Sequence, residues 1–260
     1  MKALFKSGNS LIYDTDFIDA IKQSGIKNGD IICVHSEIFS FGISAVKKDE
    51  LLSALIDCFY EVIREDGTLI MPTFTYSFCK NEIYDKVNSK STIGILTEYF
   101  RTYKNPIRTN DPIFSFAING KNANIFLKDT KTCFDKNSVY DVLRSINGKI
   151  VLFGNKTRGF TFTHYIEKAA KVSYRYYKTF SGIMIDENGK KIEKSIDYYV
   201  RKLDEKSIFN IQKQILLLQK TDNFNTVNIG NGTITSIDAK RYFNDTISAL
   251  KNDNFCCKPY

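Results

Sequence analysis

The sequence has no run of about 18 consecutive apolar residues, no cysteine pair at zinc or redox spacing and no acidic run of five or six residues. It also has no repeat and no low-complexity linker. The first absence excludes a transmembrane helix, and the opening MKALFKSGNSLIYDTDF lacks the apolar run of a signal peptide. A cytoplasmic protein without membrane insertion is expected. The six cysteines are scattered, only Cys256 and Cys257 being adjacent, so reduced thiols with no metal site and no covalent part in any reaction are expected. With no linker, residues 1–260 read as one α/β domain, and 181–237 as a smaller β-containing subregion.

What is present supports a globular fold. Hydrophobic residues make up 43% and charged residues 25%, and 20 Phe with 15 Tyr supply bulk for a core, which excludes disorder over most of the length. The net charge of +8 raises a nucleic-acid reading. The densest basic stretch, KAAKVSYRYYK from Lys168 to Lys178, spaces Lys168, Lys171, Arg175 and Lys178 by three and four residues. That spacing fits a solvated helix face or a contact to a phosphate-rich small ligand. No nucleic-acid motif accompanies it, so nucleic acid is not an expected partner.

Hydrophobic periodicity predicts alternating strands and helices. Phe17 to Gly25 reads as a helix capped by Asp14 or Thr15, Ile31 to Val34 as a strand buried on both faces, and Leu51 to Ile63 as an amphipathic helix. Thr68 to Met71 follows as a strand, completing a β-α-β pattern that favours parallel pairing. Further on, Ile93 to Tyr103 reads as helix, Ile113 to Ile118 as extended, Val139 to Arg144 as helix and Lys149 to Phe153 as a buried strand. Thr163 to Tyr174 is expected to be helical, and Gly182 to Ser195 a hairpin turning at Glu187-Asn188-Gly189. A helix near Ser207 to Lys220, an extended piece near Val227 to Ile234 and a helix from Ala239 to Lys251 complete the pattern.

Both histidines stand near the carboxyl ends of predicted buried strands, where open α/β sheets bind ligands. His35 follows Ile31 to Val34, and is either a satisfied structural residue or a site residue. His164 opens a helix about ten residues past Phe153, and Glu167 on the same helix face is within reach to orient its ring, which points to a general base. The corner HSEIFSFG, from His35 through Ser36 and Glu37 to Gly42, is a strand-to-loop turn that could present N–H groups to a phosphate or oxyanion, or simply turn the chain. Pro72, Thr73 and Thr75, with Tyr76, lie just past the Thr68 strand, where hydroxyls could bond a ligand or cap the loop.

The segments HSEIFSFG, DGTLIMPTFT, IGILTEYFR, RTNDPIFSFAINGKNA, NSVYDVL, KIVLFG and THYIEKAA occur in the order, and with similar spacing, of the aminoglycoside 3-N-acetyltransferase family. The chain resembles that family from about Phe17 to Phe255. The resemblance implies a three-layer α/β/α sandwich around a largely parallel or mixed sheet, with a small C-terminal part containing a hairpin. It also implies acetyl-CoA as cosubstrate and direct acetyl transfer to an amine, without a metal. His164 with Glu167 matches the catalytic "H-x-x-E" segment. His35, Ser36, Pro72, Thr73 and Thr75 match segments that border the CoA tunnel, and Arg108 and Ser115 match a further arginine and serine. Backbone N–H groups near Ser36 or Thr73 are expected to hold the oxyanion.

Two departures bear on substrate. Glu37 stands where the family's second serine is usual, and Thr109-Asn110-Asp111-Pro112 replaces Ser-x-His-Pro, so Asn110 and Asp111 are candidates for substrate contact. A polycationic aminoglycoside calls for an acidic site, whereas the +8 balance suits a diphosphate. The favoured acceptor is therefore a nucleotide-linked amino sugar of surface-glycan biosynthesis, with Arg108, Arg158, Lys171 and Arg175 as candidate diphosphate contacts. The alternatives are an aminoglycoside acceptor, or a non-catalytic protein that binds CoA or a sugar. A homodimer is compatible with the sequence.

Overall fold

The computed structural model describes residues 1–203 and 207–251 of the chain. Cys256, Cys257 and the end of the resemblance at Phe255 lie outside the described residues.

The chain begins with a feature the sequence reading passed over, a hairpin of β1 (Ala3–Ser7) and β2 (Ser10–Tyr13) turning at Gly8, whose φ of 58° suits glycine. Helix α1 (Asp14–Gln23) is capped at Tyr13, one residue before the expected Asp14. Asp16 reaches back to accept the Tyr13 amide at 2.7 Å, while Asp14 accepts the amide of Lys2 and is held to the hairpin. Next come β3 (Ile31–Ser36), β4 (Ile43–Ser44), α2 (Lys48–Ile63), β5 (Thr68–Pro72), β6 (Tyr84–Asp85), α3 (Ile95–Phe100), β7 (Ile107–Arg108) and β8 (Phe116–Gly120). The extended piece expected from Ile113 starts pairing only at Phe116, because Asp111 accepts the amides of Ile113 and Phe114 and bends the chain there. Then follow α4 (Val139–Ser145), β9 (Lys149–Gly154), α5 (Phe162–Ala170), β10 (Arg175–Ile185), β11 (Lys191–Arg201), α6 (Ile211–Lys220), β12 (Asn225–Ile229), β13 (Gly232–Asp238) and α7 (Ala239–Lys251).

The main sheet has seven strands in the order β12-β13-β9-β3-β5-β8-β7. Its centre is parallel, β3 pairing with both β5 and β9, and its flanks are antiparallel. The sheet is therefore mixed. Alternation along the central strands feeds two cores. Cys33, Ile70, Ile150 and Leu152 pack with α4, α5, α6 and α7, while Ile32, Val34, Leu69, Val151 and Phe153 pack with α1, α2 and α3. The result is an α/β/α sandwich, in which each fully buried large side chain contributes roughly 2 kcal/mol. Cys33 and the adjacent Val34 take opposite faces, as strand periodicity requires.

Two smaller sheets flank the sandwich: β2-β1-β4, and β11-β10-β6. The second corrects two expectations. Helix α5 stops at Ala170 because Lys171 takes a left-handed φ of 54°, and from Arg175 the β-branched and tyrosine-rich stretch pairs along 11 residues with β11. The basic run from Lys168 to Lys178 is thus no single helix face. The small β region also does not reach residue 237, since β13 pairs with β9 in the main sheet. Asn210 caps α6 by accepting the Lys213 amide at 3.1 Å, so this helix starts later than the expected Ser207.

Candidate active site

The three parallel strands β3, β5 and β9 end on the same side, and β3 lies between strands reached by crossovers on opposite faces. That is the switch point at which an α/β sheet opens a crevice. A cavity of about 320 Å³ sits there, lined among others by His35, Ser36, Glu37, Pro72, Tyr76 and Arg158. Thr97 and Ile93 come from the α3 region, and Asn155, Gly159 and Thr161 from the loop after β9. The strand-end rule, applied to His35 but not to the loop after Gly154, would have found Asn155 and Gly159. Arg158 is exposed and lies 3.7 Å from the Glu37 carboxylate, so the residue that replaces the family's serine forms an ion pair at the cavity wall.

His35 is 8% exposed, and burial pushes its imidazole down from the ordinary 6.5 to about 4. Tyr140, whose own phenol burial pushes well up, keeps its proton, and its hydroxyl lies 3.3 Å from His35 Nε2. His35 is thus a neutral ring held to the Tyr140 hydroxyl. Because its folded value lies below the unfolded one, it leaves stability unchanged above pH 6.5 and costs stability as pH falls from 6.5 toward 4. The full loss is on the order of 3 kcal/mol. His35→Gln, which keeps an acceptor for Tyr140, should flatten the fall in urea-unfolding midpoint between pH 6.5 and 4.5. Parallel profiles for the two proteins would show that His35 does not titrate this way.

Several residues expected at the CoA site have their polar groups engaged within the protein. Thr73 and Ser115 are fully buried, and Ser115 Oγ donates to the Thr73 carbonyl at 2.6 Å. Arg108 spends its guanidinium on the Thr73 hydroxyl, the Ser115 hydroxyl and the carbonyls of Thr73, Lys86 and Ser89. None of the three lines the strand-end cavity. The Thr73 amide donates to Ser115 O at 2.8 Å and is unavailable to an oxyanion. Thr75 Oγ1 donates to Pro112 O and accepts the Ser77 amide, the capping role of a loop hydroxyl. Gly42 lies against the Lys6 carbonyl of β1, where a Cβ would sit 2.4 Å from that oxygen, so it serves the N-terminal sheet. Asn110 and Asp111 line a separate small recess with Cys133. There burial raises the Asp111 carboxyl, while its two backbone bonds act as a loop cap.

His164 and Glu167 do come together. The first turn of α5 places His164 partly exposed, at 28%, with Nδ1 2.8 Å from Oε2 of the fully buried Glu167. Burial alone would raise the Glu167 carboxyl. Hydrogen bonds and charge from His164 and Arg175, with a hydrogen bond from Tyr174, outweigh it and hold the group below the ordinary carboxylate range. Arg175 Nη2 lies 2.9 Å from the same Oε2, and Nη1 donates to Tyr199 O at 3.0 Å. Arg175 is therefore a buried partner of Glu167, which corrects its assignment as a diphosphate contact. Lys171 is exposed at the end of α5. A row of rings, His35 to Tyr140 to Phe134 to His164, with centroid spacings of 6.5, 6.2 and 6.1 Å, connects the cavity wall to the second histidine.

This fold is that of solved aminoglycoside acetyltransferases. AAC-VIa, determined with sisomicin bound, matches with a TM-score of 0.81 at 18% identity, covering 93% of this chain and 98% of that one. AAC-IIIb in a binary complex with CoASH matches at 0.79 and 17%, covering 93% and 97%. In sequence, the SPbeta prophage-derived aminoglycoside N(3′)-acetyltransferase-like protein YokD of Bacillus subtilis (strain 168) is 30% identical over 129 residues, 41% of this chain and 46% of YokD. The aligned stretch thus spans less than half of that relative. A sequence profile of the aminoglycoside 3-N-acetyltransferase family matches residues 33–251, and the chain belongs to that family. Among the described residues, no helix is long and apolar enough to cross a membrane, and no cluster of His, Cys, Asp and Glu could hold a metal ion.

Proposed function

We propose that the protein is an acetyl-CoA-dependent N-acetyltransferase that acylates an amine carried on a sugar. The observation that carries this reading is the His164–Glu167 pair, a half-open imidazole bonded through Nδ1 to a buried, ionised carboxylate. With Nδ1 so engaged, Nε2 is the nitrogen left to take a proton. The acceptor nitrogen attacks the thioester carbonyl, its proton passes to His164 Nε2, and Glu167 stabilises the imidazolium. The C–S bond then breaks, the sulfur takes the proton held at His164 Nε2, and CoA leaves as the thiol. The strand-end cavity, with Ser36 at its wall and the exposed Arg158–Glu37 pair beside it, suits the slender pantetheine arm of the donor. Family membership and the CoASH-bound neighbour support acetyl-CoA as cosubstrate.

Two acceptor classes follow from different observations. The +8 charge with exposed Arg158 and Lys171 supports a nucleotide-linked amino sugar. The family match, together with the engagement of Arg108 and Arg175 in buried bonds, supports an aminoglycoside equally. Thiol release from acetyl-CoA should be assayed with nucleotide-linked amino sugars, the free amino sugars and kanamycin-type compounds. A nucleotide-linked acceptor should lose efficiency sharply when the nucleotide is removed, because remote binding energy no longer positions the amine. Equal efficiency with the free sugar, or efficient acetylation of kanamycin-type compounds, sinks the nucleotide reading. No thiol release with any amine sinks the enzyme reading.

A further inference from the structure

We propose that Arg175, from the first position of β10, is a positioning residue that fixes which nitrogen of His164 is free to act. The inference rests on the proposed base role of His164. The geometry around His164 Nδ1 holds a conflict. Arg175 Nη2 lies 2.8 Å from His164 Nδ1 and 2.9 Å from Glu167 Oε2, and the same Oε2 lies 2.8 Å from Nδ1. Nδ1 cannot both accept from the guanidinium and donate to the carboxylate. Arginine is always a donor, and an ionised carboxylate is only an acceptor. A bare Nδ1 would set its lone pair against Oε2. The consistent arrangement has Oε2 accepting from both Nδ1–H and Nη2–H, with Nε2 bare.

Arg175 matters because Glu167 is fully buried. An ionised carboxylate without a fixed cation is costly there, and burial by itself pushes the group toward its neutral form. A neutral carboxyl would donate its own proton to Nδ1 and shift the ring proton to Nε2, which removes the base. The other groups facing the triad do not replace the cation. Tyr174 bonds Glu167, Tyr198 bonds Arg175, Tyr199 gives Arg175 its carbonyl, and Lys168 is taken by Asp135 at 2.6 Å. Arg175 stands eight residues beyond Glu167 and reaches it only because α5 ends at Ala170 and Lys171 turns the chain.

The chain has two histidines, so ring-nitrogen NMR of 15N-histidine-labelled protein resolves His164 once His35 is assigned with His35→Gln. In the wild type, His164 should carry its proton on Nδ1, with Nε2 unprotonated. In Arg175→Met, Nε2 should become protonated and kcat should fall at least about tenfold, with KM for acetyl-CoA unchanged, a loss smaller than that of the base itself. Arg175→Lys, which keeps the charge, should restore a bare Nε2 and recover at least half of the loss on a logarithmic scale. Should Arg175→Met not fold, Arg175→Gln serves as the neutral variant. A bare Nε2 in the neutral variant, or a lysine variant no better than the neutral one, overturns the proposal. Turnover unaffected by His164→Asn would instead overturn the base assignment, and the NMR measurement reads the ring independently of turnover.

Discussion

His164→Asn is expected to lower acetyl transfer by ~100- to 10,000-fold, the usual worth of a positioned general base, while CoA affinity stays nearly unchanged. The asymmetry follows from position. His164 sits on α5 and is absent from the lining of the strand-end cavity, where His35, Ser36 and Arg158 stand. Asparagine keeps a polar group of similar reach, and its amide can still bond Glu167, but it cannot accept a proton near neutral pH. Thiol-release kinetics and calorimetric titration with CoA measure the two effects separately. Activity within tenfold of wild type would defeat the assignment. Glu167→Gln should cost less in rate, because the amide oxygen can still accept the Nδ1 proton. It should cost more in stability, because it leaves Arg175 charged and buried without its carboxylate, a defect typically worth about 3 to 5 kcal/mol. A rate loss equal to that of His164→Asn would make the carboxylate essential to the transfer itself.

The contrast between these residues marks what could be read from the chain alone. His164 and Glu167 were legible because three-residue spacing on one helix is a local relation. The central strands were legible because Ile31 to Val34 and Lys149 to Phe153 are short apolar runs, and strands buried on both faces require such runs. Arg175 was misread for the opposite reason. Its spacing from Lys168 and Lys171 continues a helical period, and only the left-handed Lys171 and the long pairing with β11 turn it inward. Arg108, Thr73 and Ser115 matched a family segment. Arg108 and Ser115 nevertheless close on Thr73 across 35 and 42 residues of sequence, a closure that no local pattern encodes. The N-terminal hairpin is illegible because its strands are only 5 and 4 residues long, too short for a clear alternation. Free cysteine chemistry, by contrast, was set by strand parity. Cys33 is fully buried in the core, where desolvation raises its thiol and removes the thiolate that an acetyl-cysteine intermediate would need.

Gly154→Ala should be among the most damaging single-methyl changes in the chain, and comparison with Gly189→Ala separates its two causes. Both glycines have positive φ, 110° and 80°. At the tip of the β10–β11 hairpin, a Cβ on Gly189 meets nothing within 4 Å, so that variant carries backbone strain alone, roughly 1 to 2 kcal/mol. At the end of β9, a Cβ on Gly154 falls 2.1 Å from the Glu37 carbonyl oxygen and 2.7 Å from its carbon. These are backbone atoms, and the Glu37 amide is itself bonded to Phe153 O at 2.7 Å, so no side chain can swing aside to make room. The Glu37 peptide must lift off the strand end, carrying with it the corner that bears Ser36 and the Glu37–Arg158 pair. The expected cost exceeds about 4 kcal/mol, the range reserved for clashes that a core cannot absorb. Thermal unfolding should therefore drop by only a few degrees for Gly189→Ala, at about 2 to 4 °C per kcal/mol, and by at least about 8 to 16 °C for Gly154→Ala. CoA binding should survive the first change and be lost in the second, measured at a temperature where both variants remain folded. Equal losses of stability would mean that φ strain alone sets the cost. Normal CoA affinity in folded Gly154→Ala would detach the β3–β9 corner from the donor site.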